Sequence, residues 1–141
     1  MFGSRGIEQY RKVEVETSVP EASPHRLVLM LMDGALVAIG IAITKLKEND
    51  IPHKGEAISK AIALIDEGLR PSLNLEEGGD IARNLDSLYD YMAQQLFLAN
   101  LHNDSQRLEE VSELLSDIRD AWRTIGGSDD LTQAPAPTPA P

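Results

Sequence analysis

Residues 80–125 read DIARNLDSLYDYMAQQLFLANLHNDSQRLEEVSELLSDIRDAWRTI, and this stretch decides the fold class. Its apolar residues recur at intervals of three and four, which predicts two amphipathic helices with a short polar break between them. The first helix is expected to bury Ile81, Leu85, Leu88, Met92, Leu96 and Ala99, and the second Leu108, Val111, Leu115, Ile118, Trp122 and Ile125. Asn103 is the predicted N-cap of the second helix, with Gln106 reaching back to it in a capping box. A link this short favours an antiparallel pair.

Two more helices are predicted upstream. The first opens at Ser23-Pro24, because serine is a good N-cap and proline suits the first helical position, and it extends to about Lys47. The second begins near Ile51-Pro52 and ends before Pro71. Its apolar face consists of Ile58, Ala61, Ile62, Ile65 and Leu69. Together the four segments predict an all-α fold, an antiparallel up-and-down four-helix bundle.

The chain is expected to hold one domain, because its 141 residues suffice for one compact core and not for two. The bundle should span residues 23–127. Before it, residues 1–22 form an expected extended N-terminal segment. After it, residues 128–141 consist largely of Asp, Ala, Thr and Pro, a composition that cannot bury enough apolar area to become ordered, so a disordered C-terminal tail is predicted.

The first helix is unusual because residues 27–43 are apolar almost all round. We do not expect it to insert in a membrane, since the run is short for a bilayer and a central Asp33 costs about 2.5–3.5 kcal/mol there. Either its neighbours cover it on every side or part of its surface is kept for a partner. Gly34 and Gly40 each cost about 1 kcal/mol relative to alanine inside a helix, so something is expected to offset that cost.

Composition excludes several classes of function. The net charge of −10 repels phosphate backbones, so no nucleic-acid partner is expected. The absence of cysteine removes disulfides and thiolate chemistry. No Glu-x-x-His pair and no Gly-x-Ser-x-Gly motif occurs, so we expect no metal, no cofactor and no enzyme. The polar N-terminus lacks the apolar core of a secretory signal, which predicts a cytosolic protein.

Several longer sequence motifs occur along the chain in the order in which a known protein family has them. They are SPHRL at 23–27, MLMDGA at 30–35, KGEAISKA at 54–61 and GGDIARNLDSLYDYM at 78–92, followed by LAN at 98–100 and ND at 103–104. In these motifs, from Tyr10 to about Ile125, the chain resembles the flagellin-specific export chaperone family. Met32 departs from the pattern, since an aromatic residue is common there in the family, and the proline-rich tail is an addition.

The resemblance implies a helical bundle that binds the C-terminal region of flagellin, prevents its premature polymerisation and hands it to the flagellar export gate. It also implies that the segment around Tyr10, Val13 and Val15 covers a client groove until the client displaces it. The positions that the resemblance marks as contacting the client or shaping its groove are Tyr10, Asp33, Asn84, Leu88, Tyr89, Tyr91, Met92 and Asn100.

The residues themselves leave alternatives open. Tyr89 and Tyr91 cannot both point inward, since they are two positions apart on one helix. Asn84 and Asn100 could instead cap or bridge helices, and Asp33 could form a hydrogen bond within the bundle. Two other classes also remain: an adaptor that self-associates through the first helix, for example as a homodimer, and a hydrolase whose site is assembled only in space.

Overall fold

A computed structural model describes residues 23–127 of the chain. The predictions made for residues 1–22, including Tyr10, and for residues 128–141 lie outside the described residues. Within that range the chain forms α1 (Pro24–Lys47), α2 (Ile51–Ala63) with a π-helical continuation (Leu64–Leu69), α3 (Gly79–His102) and α4 (Ser105–Gly127). No strand occurs between residues 23 and 127, and the all-α prediction is confirmed.

Side-chain contacts show that α2 and α3 are antiparallel. At the start of α2, Nζ of Lys54 donates hydrogen bonds to the backbone oxygen and Oδ1 of Asn100, at 3.0 and 2.7 Å, near the end of α3. Just after the π-helical continuation, Nε of Arg70 donates to Oδ1 of Asp86 at 2.9 Å, near the start of α3. The two ends of α2 therefore meet opposite ends of α3.

The remaining neighbours are also antiparallel. A Cβ added to Gly68 would lie 2.9 Å from Cδ2 of Leu31, so the beginning of α1 packs closely on the end of the π-helical continuation. Between α1 and α4, Oδ1 of Asp33 lies 2.9 Å from Nε of Arg119. Between α3 and α4, Nη1 of Arg107, near the start of α4, donates a hydrogen bond to Oε1 of Gln95 on α3 at 2.8 Å. The four helices thus close an up-and-down bundle in which α1 and α3 occupy opposite corners.

The core is formed by the predicted helix faces, except that α3 is rotated about its axis relative to the prediction. Fully buried large side chains come from all four helices: Met32, Ile39, Ile58, Ile65, Leu69, Tyr89, Met92, Leu96, Leu108, Val111 and Leu115. Ile81, predicted to be buried, is 74% exposed, because the buried face of α3 is turned by about one residue toward Ala82, Tyr89 and Ala93. Ile125 is also exposed, so the prediction of its burial was wrong.

Two helix caps were predicted from the sequence, at the start of α1 and at the start of α4. Oγ of Ser23 accepts a hydrogen bond from the backbone N–H of Arg26 at 3.1 Å, which confirms the predicted start of α1. The predicted capping box at the start of α4 was wrong. Asn103 adopts a left-handed conformation with φ of 51° and ends α3, while Oδ1 of Asp104 accepts from the N–H of Arg107 at 3.2 Å. Asparagine tolerates the left-handed conformation, which is why it ends the helix.

Arg70 connects the end of the π-helical continuation to α3 through three carboxylates. Beyond its bond to Asp86, Nη1 of Arg70 donates to Oδ1 of Asp90 at 3.0 Å and to Oδ1 of Asp66 at 3.4 Å. The hydrogen bond from Arg70 holds the pKa of Asp86 below its ordinary value of 3.8. The same bond, reinforced by the other carboxylates, raises the pKa of Arg70. Asp86 therefore stays ionised to a lower pH in the folded protein than an unpaired aspartate would.

Replacing Arg70 with glutamine is expected to make the free energy of unfolding depend less steeply on pH in the acid range. A folded-state pKa below that of the unfolded chain stabilises the fold at pH well above 3.8, and this contribution is lost as the pH falls through the depressed value. The variant lacks that contribution, so its free energy of unfolding should fall less steeply on acidification. Urea unfolding at a series of pH values measures the slope. Arg83→Gln, which removes an exposed pair with Asp80, should leave the slope unchanged.

Candidate partner-binding surface

One face of α1 is apolar and uncovered within the bundle. Met30, Val37 and Ile41 are 46%, 62% and 46% exposed, and their spacing of seven and four residues places them on one side of the helix. Gly40 is exposed beside them. We call these four residues the α1 strip. The opposite side of α1 supplies Met32, Ala35, Ile39 and Ala42 to the core, so the all-round apolar character of α1 divides into a buried face and an open one.

The two glycines of α1 differ in what surrounds them. A Cβ at Gly34 would lie 3.3 Å from Cδ1 of Leu64, so glycine there permits close packing of α1 on the π-helical continuation. A Cβ at Gly40 would meet no atom within 4 Å. Close packing within the described bundle therefore offsets the stability that Gly34 costs relative to alanine. No contact in the described bundle does the same for Gly40. A glycine on an open apolar face lets a second backbone approach closely.

Gly40→Ala should accordingly stabilise the free protein and weaken binding of a partner to the α1 strip. Alanine in an exposed helix interior is favoured over glycine by about 0.5–1 kcal/mol, which urea unfolding can resolve. The new methyl group would occupy the space that a partner backbone needs. Gly55→Ala is the comparison for the gain in stability, because its added Cβ would lie 3.7 Å from Oδ1 of Asn100, an ordinary contact distance. A Gly40→Ala protein that is no more stable than the unsubstituted one would contradict the conclusion that glycine at position 40 lowers the stability of the free protein.

By length and composition, α1 is the one helix among residues 23–127 that could cross a membrane. Core helices of soluble proteins meet the same criterion. Here Met32 and Ile39 are completely buried against the other helices, and Asp33 is paired with Arg119 of α4. These contacts integrate α1 in the bundle.

A second set of exposed apolar side chains lies on α3. Tyr91 is 51% exposed, and Phe97 and Leu101, one helical turn apart, are 59% and 63% exposed. Because α1 and α3 occupy opposite corners, these residues and the α1 strip face different sides of the bundle. A partner that covers both must therefore extend around α2 or α4.

The structure separates the expected site residues of α3 into two groups. Asn84 and Tyr91 are exposed, and Leu88 is half-buried against the core. Tyr89 is 2% exposed and Met92 is completely buried, so both lie inside the bundle. The prediction that the two tyrosines cannot both point inward is confirmed. Burial raises the pKa of Tyr89 to about 12.

Two further expected site residues have partners within the bundle. Asp33 pairs with Arg119, and Asn100 accepts two hydrogen bonds from Lys54. The bridge between helices that the sequence left open for Asn100 is present. Asp33 forms an ion pair with Arg119 in place of the hydrogen bond considered for it. Asp33 borders the α1 strip, and Asn100 lies between Phe97 and Leu101 along α3.

Sequence reasoning missed several of the exposed residues. Val37 and Ile41 were hidden in a run that is apolar on all sides, where periodicity carries no information about which face is open. Phe97 and Leu101 could have been found, because large apolar residues off the predicted stripe of an amphipathic helix are a usable signal. Nothing in the sequence marks Lys54 as buried.

Between residues 23 and 127, no group of three or more His, Cys, Asp or Glu residues could hold a metal ion. The surfaces that stand out in this region are apolar. Their chemistry suits the binding of an amphipathic polypeptide, whose apolar side chains would leave water on contact.

The chain is similar to known proteins over most of its length. Residues 6–129 match the family model described as "Flagellar protein FliS". A protein of Salmonella typhimurium named flagellar secretion chaperone FliS is 51% identical over 125 residues, covering 89% of this chain and 93% of the relative. The flagellar secretion chaperone FliSB of Pseudomonas aeruginosa is 43% identical over 125 residues, covering 89% and 98%. The FliS of Bacillus subtilis is 34% identical over 108 residues, covering 77% and 79%.

Proposed function

The chain belongs to the flagellar protein FliS family, and from that membership we propose that it is a non-enzymatic cytosolic chaperone for flagellin. It binds the C-terminal region of flagellin, prevents premature polymerisation and delivers the client to the flagellar export gate. The names of its relatives support the role of a flagellar secretion chaperone. The client and the delivery step rest on the resemblance together with the surfaces of the bundle.

The observation that carries the proposal is the α1 strip. Val37 is 62% exposed at its centre, although α1 elsewhere supplies completely buried residues to the core. Exposing large apolar side chains in water is unfavourable, so a strip of them on a well-packed bundle indicates a surface that a partner covers. An amphipathic client helix laid along this strip would bury its own apolar face against Met30, Val37 and Ile41, with Gly40 admitting its backbone.

In this proposal the binding site extends to the exposed side chains of α3, on a second side of the bundle. Tyr91 and Asn84 are exposed and Leu88 is half-buried, and in this proposal these side chains contact the client. Tyr89 and Met92 support them from the core. A client that is poorly ordered alone can follow both surfaces, and the free energy needed to order it keeps affinity moderate for the size of the interface. Moderate affinity suits a client that is handed on for export.

The N-terminal segment enters the proposal as a cover for the client groove before the client arrives. Val13 and Val15 alternate with charged residues, a pattern that fits an extended segment lying on a surface. Deleting residues 1–18 should then raise the binding of an apolar dye by the free protein. Dye fluorescence equal to that of the full chain would contradict the cover.

Complex formation with flagellin tests the proposed function. The purified chain is mixed with monomeric flagellin from the same bacterium, and with flagellin lacking its C-terminal region, and the masses are measured by light scattering after gel filtration. We expect a one-to-one complex with the complete flagellin alone, and suppression of filament growth when seeds are added. A complex of equal yield with the truncated flagellin would overturn the assignment of the C-terminal region, and no complex with either would overturn the chaperone function.

The α1 strip also favours a second candidate, a homodimer formed through α1. Its exposed apolar residues would pack against a second copy as readily as against a client helix. The same light-scattering measurement decides this, because the free chain would have twice the monomer mass. We propose the monomer as the client-binding form, since a dimer through the α1 strip would cover the surface that the client needs.

A further inference from the structure

Lys54 is the buried charged side chain of the described bundle. Its exposed fraction is 3%, and its ammonium donates to the backbone oxygen of Asn100 at 3.0 Å and to Oδ1 of Asn100 at 2.7 Å. No carboxylate between residues 23 and 127 forms a salt bridge with it. A buried ammonium held by two oxygens of one asparagine is an arrangement that the proposed chaperone function does not explain.

The lysine fixes the orientation of the asparagine side chain. An ammonium can donate hydrogen bonds and cannot accept them, so the amide oxygen of Asn100 must face Lys54 and the NH2 group must face away. That NH2 group forms no hydrogen bond with any residue from 23 to 127, and it is not among the buried polar atoms without a partner. The NH2 group is therefore not fully buried, and its N–H donors remain available to a bound molecule.

An exposed apolar side chain neighbours Asn100 along α3. Phe97 lies one helical turn before Asn100 and is 59% exposed, and Leu101, one turn after Phe97, is 63% exposed and extends the apolar surface beside it. A donor of fixed direction beside an exposed apolar surface suits a polypeptide that offers a carbonyl oxygen next to an apolar side chain. From this arrangement we infer that Asn100 donates a hydrogen bond to a backbone carbonyl of the bound client, and that Lys54 is its positioning residue. The inference rests on the proposed function, since the client is the C-terminal region of flagellin.

The carbonyl belongs to an extended stretch of the client. Inside a helix the carbonyls are already bonded within the helix, and only those of its last turn are free. A client helix ending here would bring its negative end toward the end of α3, which is also negative. An extended stretch avoids this opposition and leaves its carbonyls available.

The substitution Asn100→Asp isolates the donor. Aspartate has the same shape, keeps an oxygen for Lys54 and gives it a carboxylate partner, but it replaces the outward NH2 group with an oxygen that repels a carbonyl. We expect the melting temperature of the free protein to stay within a few degrees of the unsubstituted value. The Kd for the C-terminal segment of flagellin should rise about tenfold or more, as for the loss of a hydrogen bond that leaves its partner unpaired.

Titration calorimetry with that segment distinguishes the outcomes. Gln106→Glu, an exposed amide on α4, makes the same change of charge and should bind as the unsubstituted protein does. Lys54→Met, which frees the amide to rotate, should also weaken binding. Unchanged affinity in Asn100→Asp, while the unsubstituted protein binds, would overturn the role of Asn100 and leave the proposed function in place. Failure of the unsubstituted protein to bind would overturn both.

Discussion

Val37→Asp should reduce the affinity for the C-terminal region of flagellin by about 100-fold while leaving the bundle folded. Val37 has the most exposed of the three apolar side chains in the α1 strip, so the free protein can hydrate the carboxylate and its stability should change little. In the complex the same carboxylate would be covered by the apolar face of a client helix. Burying an unpaired charge there costs about 3 kcal/mol or more, which corresponds to the expected loss of affinity. Titration calorimetry measures the affinity, and circular dichroism checks the fold.

Ala121→Asp is the matched control for this substitution. It also places a carboxylate at an exposed apolar position, but on α4 and outside the α1 strip. Its affinity for flagellin should equal that of the unsubstituted protein. Equal affinity in Val37→Asp would show that the client does not cover the centre of the α1 strip.

Tyr89→Ala and Tyr91→Ala should have opposite consequences, although both positions were expected to serve the client. Tyr89 is 2% exposed, and removing its ring leaves a cavity in the core, which should lower the free energy of unfolding by about 3–5 kcal/mol. Tyr91 is exposed, so its truncation should change stability by less than about 0.5 kcal/mol. We expect Tyr91→Ala to weaken client binding through the loss of a surface contact. Urea unfolding and calorimetry on both variants measure the two quantities.

Tyr89→Phe separates packing from the hydroxyl. It retains the ring, so most of the stability lost in Tyr89→Ala should return. A Tyr89→Ala protein as stable as the unsubstituted one would show that the ring is not part of the core. Flagellin affinity that is insensitive to Tyr91→Ala would remove Tyr91 from the binding surface.

The fold was predictable because the helices carry strong local signals. Ser23-Pro24 fixed the beginning of α1, and the intervals of three and four in α2, α3 and α4 identified the buried faces. The errors arose where two residues compete for one local role. Asn103 and Asp104 both suit the N-cap position of α4. Asparagine tolerates the left-handed conformation, so Asn103 ends α3 and Asp104 is left to cap α4. Ile81 lost its place in the core to Ala82, because the packing of neighbouring helices sets the rotation of α3.

The candidate surface was less predictable than the fold. Periodicity identifies a buried face only when the rest of the helix is polar, so it could not separate Ile39, which is buried, from Val37, which is exposed. Lys54 and Asn100 are 46 positions apart in sequence, and no local pattern indicates that they meet. Relations of this kind depend on how the helices are placed against one another. The resemblance named the client, while the structure showed which of the expected residues reach the surface.

The most direct test of the chaperone account is calorimetric titration of the full chain with the C-terminal segment of flagellin at several temperatures. The account predicts saturable one-to-one binding with a negative heat-capacity change, because apolar surface on α1 and α3 leaves water when the client binds. No binding with both partners soluble, or binding with a heat-capacity change near zero, would contradict it.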